Sequence, residues 1–218
     1  MTIRAVIFDL DGVIIESEQL WDDARREVAA DHGGQWRDDA TTVMQGMSSV
    51  EWGAYLHDAL GVDLPAHEII DSVVVNLLDR YREHVPLLPG ATDAVARLGT
   101  RWPLALASSA NRVVIDAVLA ITGLADAFAA TVSSEEVPNG KPAPDVYREA
   151  ARRLGVAASR CAAVEDSANG IRSALAAGCH VVAVPNAAFP PGDVLSEVGV
   201  VLHDLGELTV DAVERLDD

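Results

Sequence analysis

The chain has 218 residues, of which 50% are hydrophobic and 23% are charged. A chain of this length buries a substantial core and matches one domain, or one domain with a small insert, so disorder and a large multidomain assembly are excluded. Its 34 acidic residues outnumber its 16 basic residues and give a formal net charge of −18. Such a surface repels a phosphate backbone, and we therefore expect no nucleic acid partner.

Two further features concern the compartment. Cys161 and Cys179 each lie in an apolar run, which is typical of small buried side chains in a reducing compartment and not of a disulfide framework. No segment approaches the roughly 20 apolar residues of a membrane span, and the first residues lack a signal-peptide pattern. We expect a cytoplasmic protein without a membrane partner. The sequence leaves the oligomeric state open, and a monomer is compatible with it.

Short apolar runs alternate with helical patterns over most of the chain. Because this alternation is typical of parallel sheets covered by helices on both faces, it predicts an α/β fold with a Rossmann-like parallel sheet. The predicted strands cover residues 5–8, 104–107, 130–132, 161–164, 180–184 and 200–202. The predicted helices of this part cover residues 92–98, 113–121, 143–154 and 170–177.

The stretch of residues 17–85 breaks this alternation. It contains long helical patterns over residues 19–31, 49–60 and 68–83 but no convincing strand. Prolines and a glycine at residues 86–90 favour a hinge back into the α/β part. We predict a core domain of residues 1–16 and 86–218, with an all-helical cap domain of residues 17–85. Such inserts close over sites and exclude water, although an insert that only stabilises the fold is the alternative.

The first predicted strand ends at two aspartates, Asp9 and Asp11. Ligands bind at the carboxyl ends of strands in open α/β sheets, and this spacing points both carboxylates to one side if the extended backbone continues. Two close carboxylates repel each other, so they require a cation or a retained proton, and Mg²⁺ suits oxygen ligands. Taken alone, the pattern fits a capping or turn role equally well.

A second acidic pair, Glu165 and Asp166, also follows a predicted strand and precedes a helix. If the two strands are neighbours, up to four carboxylates converge, and burying them without a cation is costly. The two pairs together therefore predict a metal site. The alternative is that Asp166 or Ser167 only caps the helix that follows.

Two other segments fit the binding of a phosphate group at the same sheet edge. Ser108 and Ser109 stand between a strand and a helix start, where hydroxyl and backbone N–H groups bind phosphate. Lys141 is the only lysine of the chain, which indicates that a compact ammonium is required there. The alternatives are a capping role for the serines and a chance surface lysine.

Together these parts fit phosphoryl transfer, with a carboxylate nucleophile, a nearby acid/base, Mg²⁺, and a hydroxyl and a lysine that hold phosphate oxygens. Signalling receiver domains also phosphorylate an aspartate. Their phospho-acceptor lies on a later strand, whereas here the Asp-x-Asp-Gly pattern comes first and a helical insert follows. A receiver is therefore a distant alternative.

Four motifs, in this order, resemble those of the haloacid dehalogenase superfamily of hydrolases. DLDGV at residues 9–13 is similar to its first motif, Ser108 to the second, Lys141 in GKPAPD to the third, and EDSANG at residues 165–170 to the fourth. The resemblance covers essentially the whole chain, including the helical cap after the first motif. It points to the β-phosphoglucomutase and sugar-phosphatase branch.

The resemblance implies roles for the acidic residues. Asp9 attacks the substrate phosphorus and carries an aspartyl-phosphate, while Asp11 protonates the leaving alcohol and then deprotonates the attacking water. Mg²⁺ is the implied cofactor. Its ligands are the Asp9 carboxylate, the Asp11 backbone carbonyl and Asp166, with Glu165 as a further ligand or as a partner of the ligands.

The resemblance also implies the contacts to the substrate. Ser108 and Lys141 hold the transferring phosphoryl oxygens, assisted by the Ser109 amide and Asn111. Gly46 lies in the cap loop at the family's specificity position, where a glycine allows the backbone to approach a substrate closely.

The same resemblance narrows the reaction. Asp11 argues against a dehalogenase, which has no acid at this position, and a cap without lysine argues against a phosphonate-cleaving enzyme. Mutases of this branch carry a cap histidine and a cap arginine that grips a second phosphate, and Trp21 and Ser49 stand at those places here. Trp21 has core packing as its alternative role, because an aromatic side chain on an amphipathic helix is more often packed in the core than in contact with a ligand. A mutase would need another basic cap residue, of which the candidates are Arg25, Arg26, Arg80 and Arg82.

The resemblance thus favours an Mg²⁺-dependent phosphatase that hydrolyses a small phosphomonoester, a sugar phosphate, through an aspartyl-phosphate. A β-phosphoglucomutase-like mutase is the alternative. A non-catalytic binding protein of the same fold is a distant alternative, because no motif residue is missing.

Overall fold

The computed structural model describes residues 2–44, 47–186 and 190–217. Its strands are β1 (Ala5–Phe8), β2 (Leu104–Ser108), β3 (Ala130–Ser133), β4 (Cys161–Glu165), β5 (His180–Ala183) and β6 (Val200–Val201). They form one sheet in the order β3-β2-β1-β4-β5-β6, and every neighbouring pair is parallel. The predicted α/β class and parallel sheet are confirmed, and each predicted strand lies within one residue of its observed bounds.

The central strand β1 is buried on both faces. Val6 and Phe8 join the apolar cluster on one face of the sheet, whereas Ala5 and Ile7 join the cluster on the other. All of these side chains are fully buried. A strand covered on both sides needs a continuous apolar run, and this is why its sequence lacks the polar alternation of a half-exposed strand.

The helices are α1 (Glu18–Asp31), α2 (Ala40–Met44), α3 (Ser49–Asp58), α4 (Ala66–Glu83), α5 (Ala91–Gly99), α6 (Arg112–Thr122), α7 (Asp145–Leu154), α8 (Ala168–Ala177) and α9 (Val210–Glu214). Helices α7 and α8 bury Tyr147 and Ile171 in the cluster that contains Ile7. Helices α5 and α6 bury Leu98 and Ile115 in the cluster that contains Phe8. The sheet is therefore covered on both faces, as predicted. Short 3-10 helices lie at Ala125–Ala127, Ser134–Glu136, Ala158–Arg160, Gly192–Glu197 and Arg215–Asp217.

The insert between β1 and α5 contains α1 to α4 and no strand in its described residues, 17–44 and 47–85. Helix α4 packs against α1 and α3 and buries Ile69, Val73 and Leu77, which lie four residues apart on one face. Helix α2 was not predicted, because five residues are too few to show a helical period. Among the helices of the described residues, none combines the length and apolar character needed to cross a membrane.

The chain enters and leaves the insert through two adjacent segments. The Glu16 N–H donates to the Pro86 carbonyl at 2.8 Å, and Ile15 and Leu87 form an antiparallel bridge. Residues from both parts of the chain belong to one apolar cluster, which includes Val13 and Ile14 as well as residues of the insert such as Leu77. The division into a core of residues 1–16 and 86–218 and a cap of residues 17–85 stays a prediction.

Candidate active site

Three neighbouring strands end with polar side chains at one edge of the sheet. Asp9 follows β1, Ser108 ends β2 and Glu165 ends β4, and β1 lies between the other two strands. Because the strands are parallel, their carboxyl ends meet at the same edge. A cavity there is lined by residues from both parts of the chain. The lining includes Asp9, Asp11, Ser109, Lys141 and Asp166 from the sheet side and Glu18, Trp21, Arg25, Ser49 and Trp52 from the insert.

Lys141 joins two of these strands through buried ion pairs. Its Nζ lies 2.9 Å from Asp9 Oδ1 and 2.6 Å from Glu165 Oε1, and all three residues are buried. Burial alone would lower the pKa of Lys141, but the attraction of Asp9 and Glu165 outweighs burial and holds that pKa above its ordinary value. The lysine therefore stays charged and fixes the positions of both carboxylates.

Glu165 has both carboxylate oxygens occupied by donors. Its Oε1 accepts hydrogen bonds from Lys141 and from the Tyr147 hydroxyl, the latter at 2.7 Å. Its Oε2 accepts from the Asp166 N–H, the Ser167 N–H and the Ser167 hydroxyl at 3.1 to 3.3 Å. With its oxygens engaged in this way, Glu165 is suited to orient Lys141. The arrangement therefore favours a role as a partner of the metal ligands over a role as a metal ligand itself.

Asp9 and Asp166 form the part of the site that fits a divalent cation. Carboxylate oxygens of Asp9, Glu165 and Asp166 lie within 4.8 Å of one another, and Asp166 Oδ1 is buried without a hydrogen bond in the described part of the chain. Burial raises the pKa of both aspartates, and repulsion by Glu165 raises it further, although the attraction of Lys141 opposes this. Because Lys141 supplies one positive charge against three carboxylates, the oxygens of this cluster suit a hard divalent ion.

Asp11 lies beside this cluster and is bonded toward the insert. Its Oδ1 accepts hydrogen bonds from the Ser17 hydroxyl and from Trp21 Nε1, the latter at 3.1 Å. Its Oδ2 lies 3.4 Å from the Ser108 hydroxyl. Its side chain is not part of the group formed by the other three carboxylates, so the expected convergence of four carboxylates is reduced to three.

The two predicted serines differ in their surroundings. Ser108 is fully buried, and its hydroxyl accepts a hydrogen bond from the Ala110 N–H at 3.0 Å. Ser109 lines the cavity, and its carbonyl accepts from Ser134 Oγ at 2.8 Å. Ser167 caps α8 by accepting from the Gly170 N–H at 3.1 Å, so the capping role considered for it is confirmed.

Asn111 links the core to the insert. Its Oδ1 accepts a hydrogen bond from Ser49 Oγ at 2.6 Å, and its Nδ2 donates to Glu135 Oε1 at 2.6 Å. Both ends of the amide are thus engaged within the protein, and Ser49 and Asn111 are buried. Gly46, the predicted specificity residue, lies outside the described residues.

The insert contributes two tryptophans and an arginine to the site. Their position together beside the cavity could not be predicted from the four motifs. Arg25 is 7% exposed, and its guanidinium lies 5.6 Å from the ring centroids of both Trp21 and Trp52. The available signal was an arginine on the apolar face of α1, where Ala24 and Val28 are buried. Tyr147, the anchor of Glu165, was also missed, because a tyrosine on an amphipathic helix is indistinguishable from core packing.

Glu18 begins α1 and lines the same cavity. Burial raises its pKa from 4.5 to about 7, and repulsion by Asp11 adds to this while Arg25 opposes it. Glu18 therefore exchanges its proton near neutral pH.

Gly170→Ala tests the close contact beneath Glu165. A glycine-to-alanine change within a helix ordinarily stabilises a protein by about 1 kcal/mol, but a Cβ at Gly170 would lie 1.8 Å from Glu165 Oε1. We expect a loss of about 1–3 kcal/mol in the free energy of unfolding, measured by urea denaturation. Gly99→Ala is the matched control, because its Cβ would only touch Leu104 at 3.6 Å. If both variants gained the same free energy of unfolding, the close contact between Gly170 and Glu165 would be contradicted.

Glu18→Gln tests the burial of that carboxyl group. A carboxyl pKa that is higher in the folded than in the unfolded protein costs nothing below the unfolded value of 4.5 and costs most above the folded value of about 7. The variant should therefore gain on wild type as pH rises, by about 1–3 kcal/mol between pH 5 and pH 8. Thermal unfolding at both pH values measures the gain. Glu68→Gln, in the first turn of α4, is the matched control, and an equal pH dependence in both variants would refute the assignment.

Comparisons with known proteins agree with this arrangement. The sequence model of haloacid dehalogenase-like hydrolases matches residues 3–178. The chain is 35% identical to hexitol phosphatase B of Escherichia coli over 95% of each chain, and 33% identical to fructose-1-phosphate phosphatase YqaB of that species over 82% of this chain and 95% of the relative. A solved structure of mutant CbbY from Rhodobacter sphaeroides with xylulose-(1,5)bisphosphate has a TM-score of 0.87 at 25% identity, covering 98% of this chain and 100% of that one. The resemblance found in the four motifs is thereby confirmed, and the chain belongs to the haloacid dehalogenase-like hydrolases.

Proposed function

We propose that this protein is an Mg²⁺-dependent phosphatase that hydrolyses a small sugar phosphate through an aspartyl-phosphate. The observation that carries the proposal is the Asp9 carboxylate, held at 2.9 Å by Lys141 beside the unpartnered Asp166 oxygen. This arrangement supports the assignment of a nucleophile, a cation site and a phosphate-binding ammonium to one edge of the cavity. The named relatives are phosphatases of hexitol and fructose phosphates, which supports the substrate class.

Asp9 is the nucleophile in this proposal. Its Oδ1 forms the ion pair with Lys141 and accepts a hydrogen bond from the Leu10 N–H at 2.8 Å, while Oδ2 has no hydrogen bond in the described part of the chain. Oδ2 is therefore the atom that attacks phosphorus. The new O–P bond forms as the bond from phosphorus to the alcohol oxygen breaks, and Lys141 and Ser108 are assigned to hold the phosphoryl oxygens.

Asp11 is the acid and then the base. Its proton passes to the departing alcohol oxygen, and in the second step its carboxylate takes a proton from water, whose oxygen attacks phosphorus and releases Asp9. The hydrogen bonds from Ser17 and Trp21 fix the direction of this carboxyl group. The acid is thus oriented by residues of the insert, whereas the nucleophile is oriented by residues of the core.

Asp9, Asp166 and the backbone carbonyl of Asp11 are the proposed ligands of Mg²⁺, and Glu165 is their partner through Lys141. When bound, Mg²⁺ supplies positive charge that offsets the three clustered carboxylates and the substrate phosphate. The Ser109 amide and Asn111 are assigned to support the phosphate from the start of α6. The free, buried thiols of Cys161 and Cys179 support a cytoplasmic, reducing location.

Hydrolysis is favoured over mutase chemistry by the environment of Ser49. Ser49 occupies the position of the mutase arginine, and its hydroxyl is bonded to Asn111 instead of being free to grip a second phosphate. A non-catalytic role is disfavoured because Asp9, Asp11, Lys141 and Asp166 all line one cavity.

Asp9→Asn should abolish Mg²⁺-dependent phosphate release from a panel of sugar and polyol phosphates. An amide is a far poorer nucleophile, and loss of such a group typically costs several orders of magnitude in rate. Phosphate release is measured with and without Mg²⁺. β-Glucose 1-phosphate with its bisphosphate activator is included, because conversion to glucose 6-phosphate with little release would favour the mutase. Turnover that survives in Asp9→Asn would exclude Asp9 as the nucleophile.

Asp166→Asn should remove the response of the protein to Mg²⁺ without unfolding it. In wild type, Mg²⁺ binding to the folded state raises the melting temperature, and the variant should show no such rise. Without metal the variant should melt at the same or a higher temperature, because a buried unpaired carboxylate is replaced by a neutral amide. Calorimetry with and without EDTA measures both effects. A full Mg²⁺-induced shift in the variant would exclude Asp166 as a ligand.

A further inference from the structure

One face of helix α1 turns toward the cavity. Glu18, Trp21 and Arg25 are spaced by three and four residues, which places them above one another on a helix. All three line the cavity that contains Asp9 and Lys141. The residues next to the chemistry therefore include a cation and an acid from the insert that the proposed reaction does not use.

Arg25 is a buried cation that forms no direct salt bridge in the described part of the chain. Its Nε is buried and makes no hydrogen bond there, and its guanidinium lies over the faces of Trp21 and Trp52. Other arginines of the insert form direct salt bridges, with Asp22 for Arg26, Glu27 for Arg80 and Asp79 for Arg82. Glu18, Asp22 and Asp11 attract Arg25 without binding its N–H groups. Because burying a charged group without hydrogen bonds is costly, the orientation of Arg25 toward the cavity indicates a ligand that accepts its N–H groups.

Glu18 supplies the complementary group on the same helix face. It makes no hydrogen bond and no salt bridge with Arg25 in the described residues, so both groups are available to a third molecule. A second phosphate would be attracted by Arg25 but repelled by the Glu18 carboxylate. Hydroxyl groups suit the pair better, because each hydroxyl can accept from Arg25 and donate to Glu18, while Trp21 and Trp52 offer apolar surfaces to the carbon chain.

We propose that Arg25 and Glu18 select the alcohol part of the substrate by bonding its hydroxyl groups, so that the substrate is a monophosphate of a polyhydroxy compound whose far end is uncharged. This inference rests on the proposed phosphatase activity. It assigns substrate selection to the face of α1 that lines the cavity.

The test compares kcat/KM for three substrates that differ at the far end: glucitol 6-phosphate, fructose 1,6-bisphosphate and acetyl phosphate. The leaving group of acetyl phosphate is too short to span both the reacting phosphorus and Arg25. Arg25→Gln should lower kcat/KM for glucitol 6-phosphate by about 10- to 100-fold, the usual effect of losing a hydrogen bond to a charged group. Its acetyl phosphate turnover should stay within about twofold of wild type, since the assigned chemical groups are intact.

Two further variants separate recognition from packing. Arg25→Met retains the apolar bulk between Trp21 and Trp52 and should reproduce the selective loss, even if Arg25→Gln does not fold. Arg82→Gln removes an exposed cation of the insert that is paired with Asp79 and should change neither substrate. Glu18→Gln should also lower kcat/KM selectively for glucitol 6-phosphate.

Each contrary outcome overturns a distinct statement. Equal losses on glucitol 6-phosphate and acetyl phosphate would assign Arg25 to packing, and no loss on either would remove it from the site. A preference for the bisphosphate that disappears in Arg25→Met would show that Arg25 binds a second phosphate. If wild type turned over none of the three substrates while remaining folded, the phosphatase proposal would fail together with this one, whereas an active wild type confines the failure to Arg25 and Glu18.

Discussion

The buried pairing of Lys141 with Asp9 and Glu165 is the interaction on which the site depends. A lysine this deeply buried stays charged only because two carboxylates lie within 2.9 Å of its ammonium, and each carboxylate belongs to a different strand end. Glu165 is in turn fixed by Tyr147 and by the backbone at the start of α8. Lys141 therefore balances the charges of the site only while the ends of β1 and β4 stay aligned, so a single constraint governs both.

The same constraint explains why the site still has capacity for a cation. Lys141 provides one positive charge against the three carboxylates that lie together, so the cluster remains negative. Gly12 allows the closest approach, because it has a positive φ of 78° and a Cβ there would lie 2.1 Å from Asp166 Oδ2. Any other residue would push Asp166 away from β1, which gives a local physical reason for the glycine that follows the two aspartates.

Most of the fold and most of the chemical groups could be predicted from the sequence. Buried parallel strands require continuous apolar runs, and the runs that form β1, β2 and β4 end in recognisable polar motifs. Contacts that depend on side-chain direction were not accessible in this way. Nothing in the spacing of Asp9 and Asp11 showed that the second carboxylate would turn toward Trp21 and leave the cluster. The engagement of Asn111 by Ser49, 62 residues away, likewise depends on how the insert packs on the core.

Helix α1 combines two kinds of contact. Trp21 donates a hydrogen bond to the carboxyl group assigned to proton transfer, while Glu18 and Arg25 on the same face line the cavity and make no hydrogen bond to the assigned chemical groups. Over evolutionary time, positions 18 and 25 can therefore drift and change the compound that is accepted while the reaction itself is retained. A change at position 21 instead reaches the Asp11 carboxyl group as well as the cavity, so it alters turnover and selectivity at once.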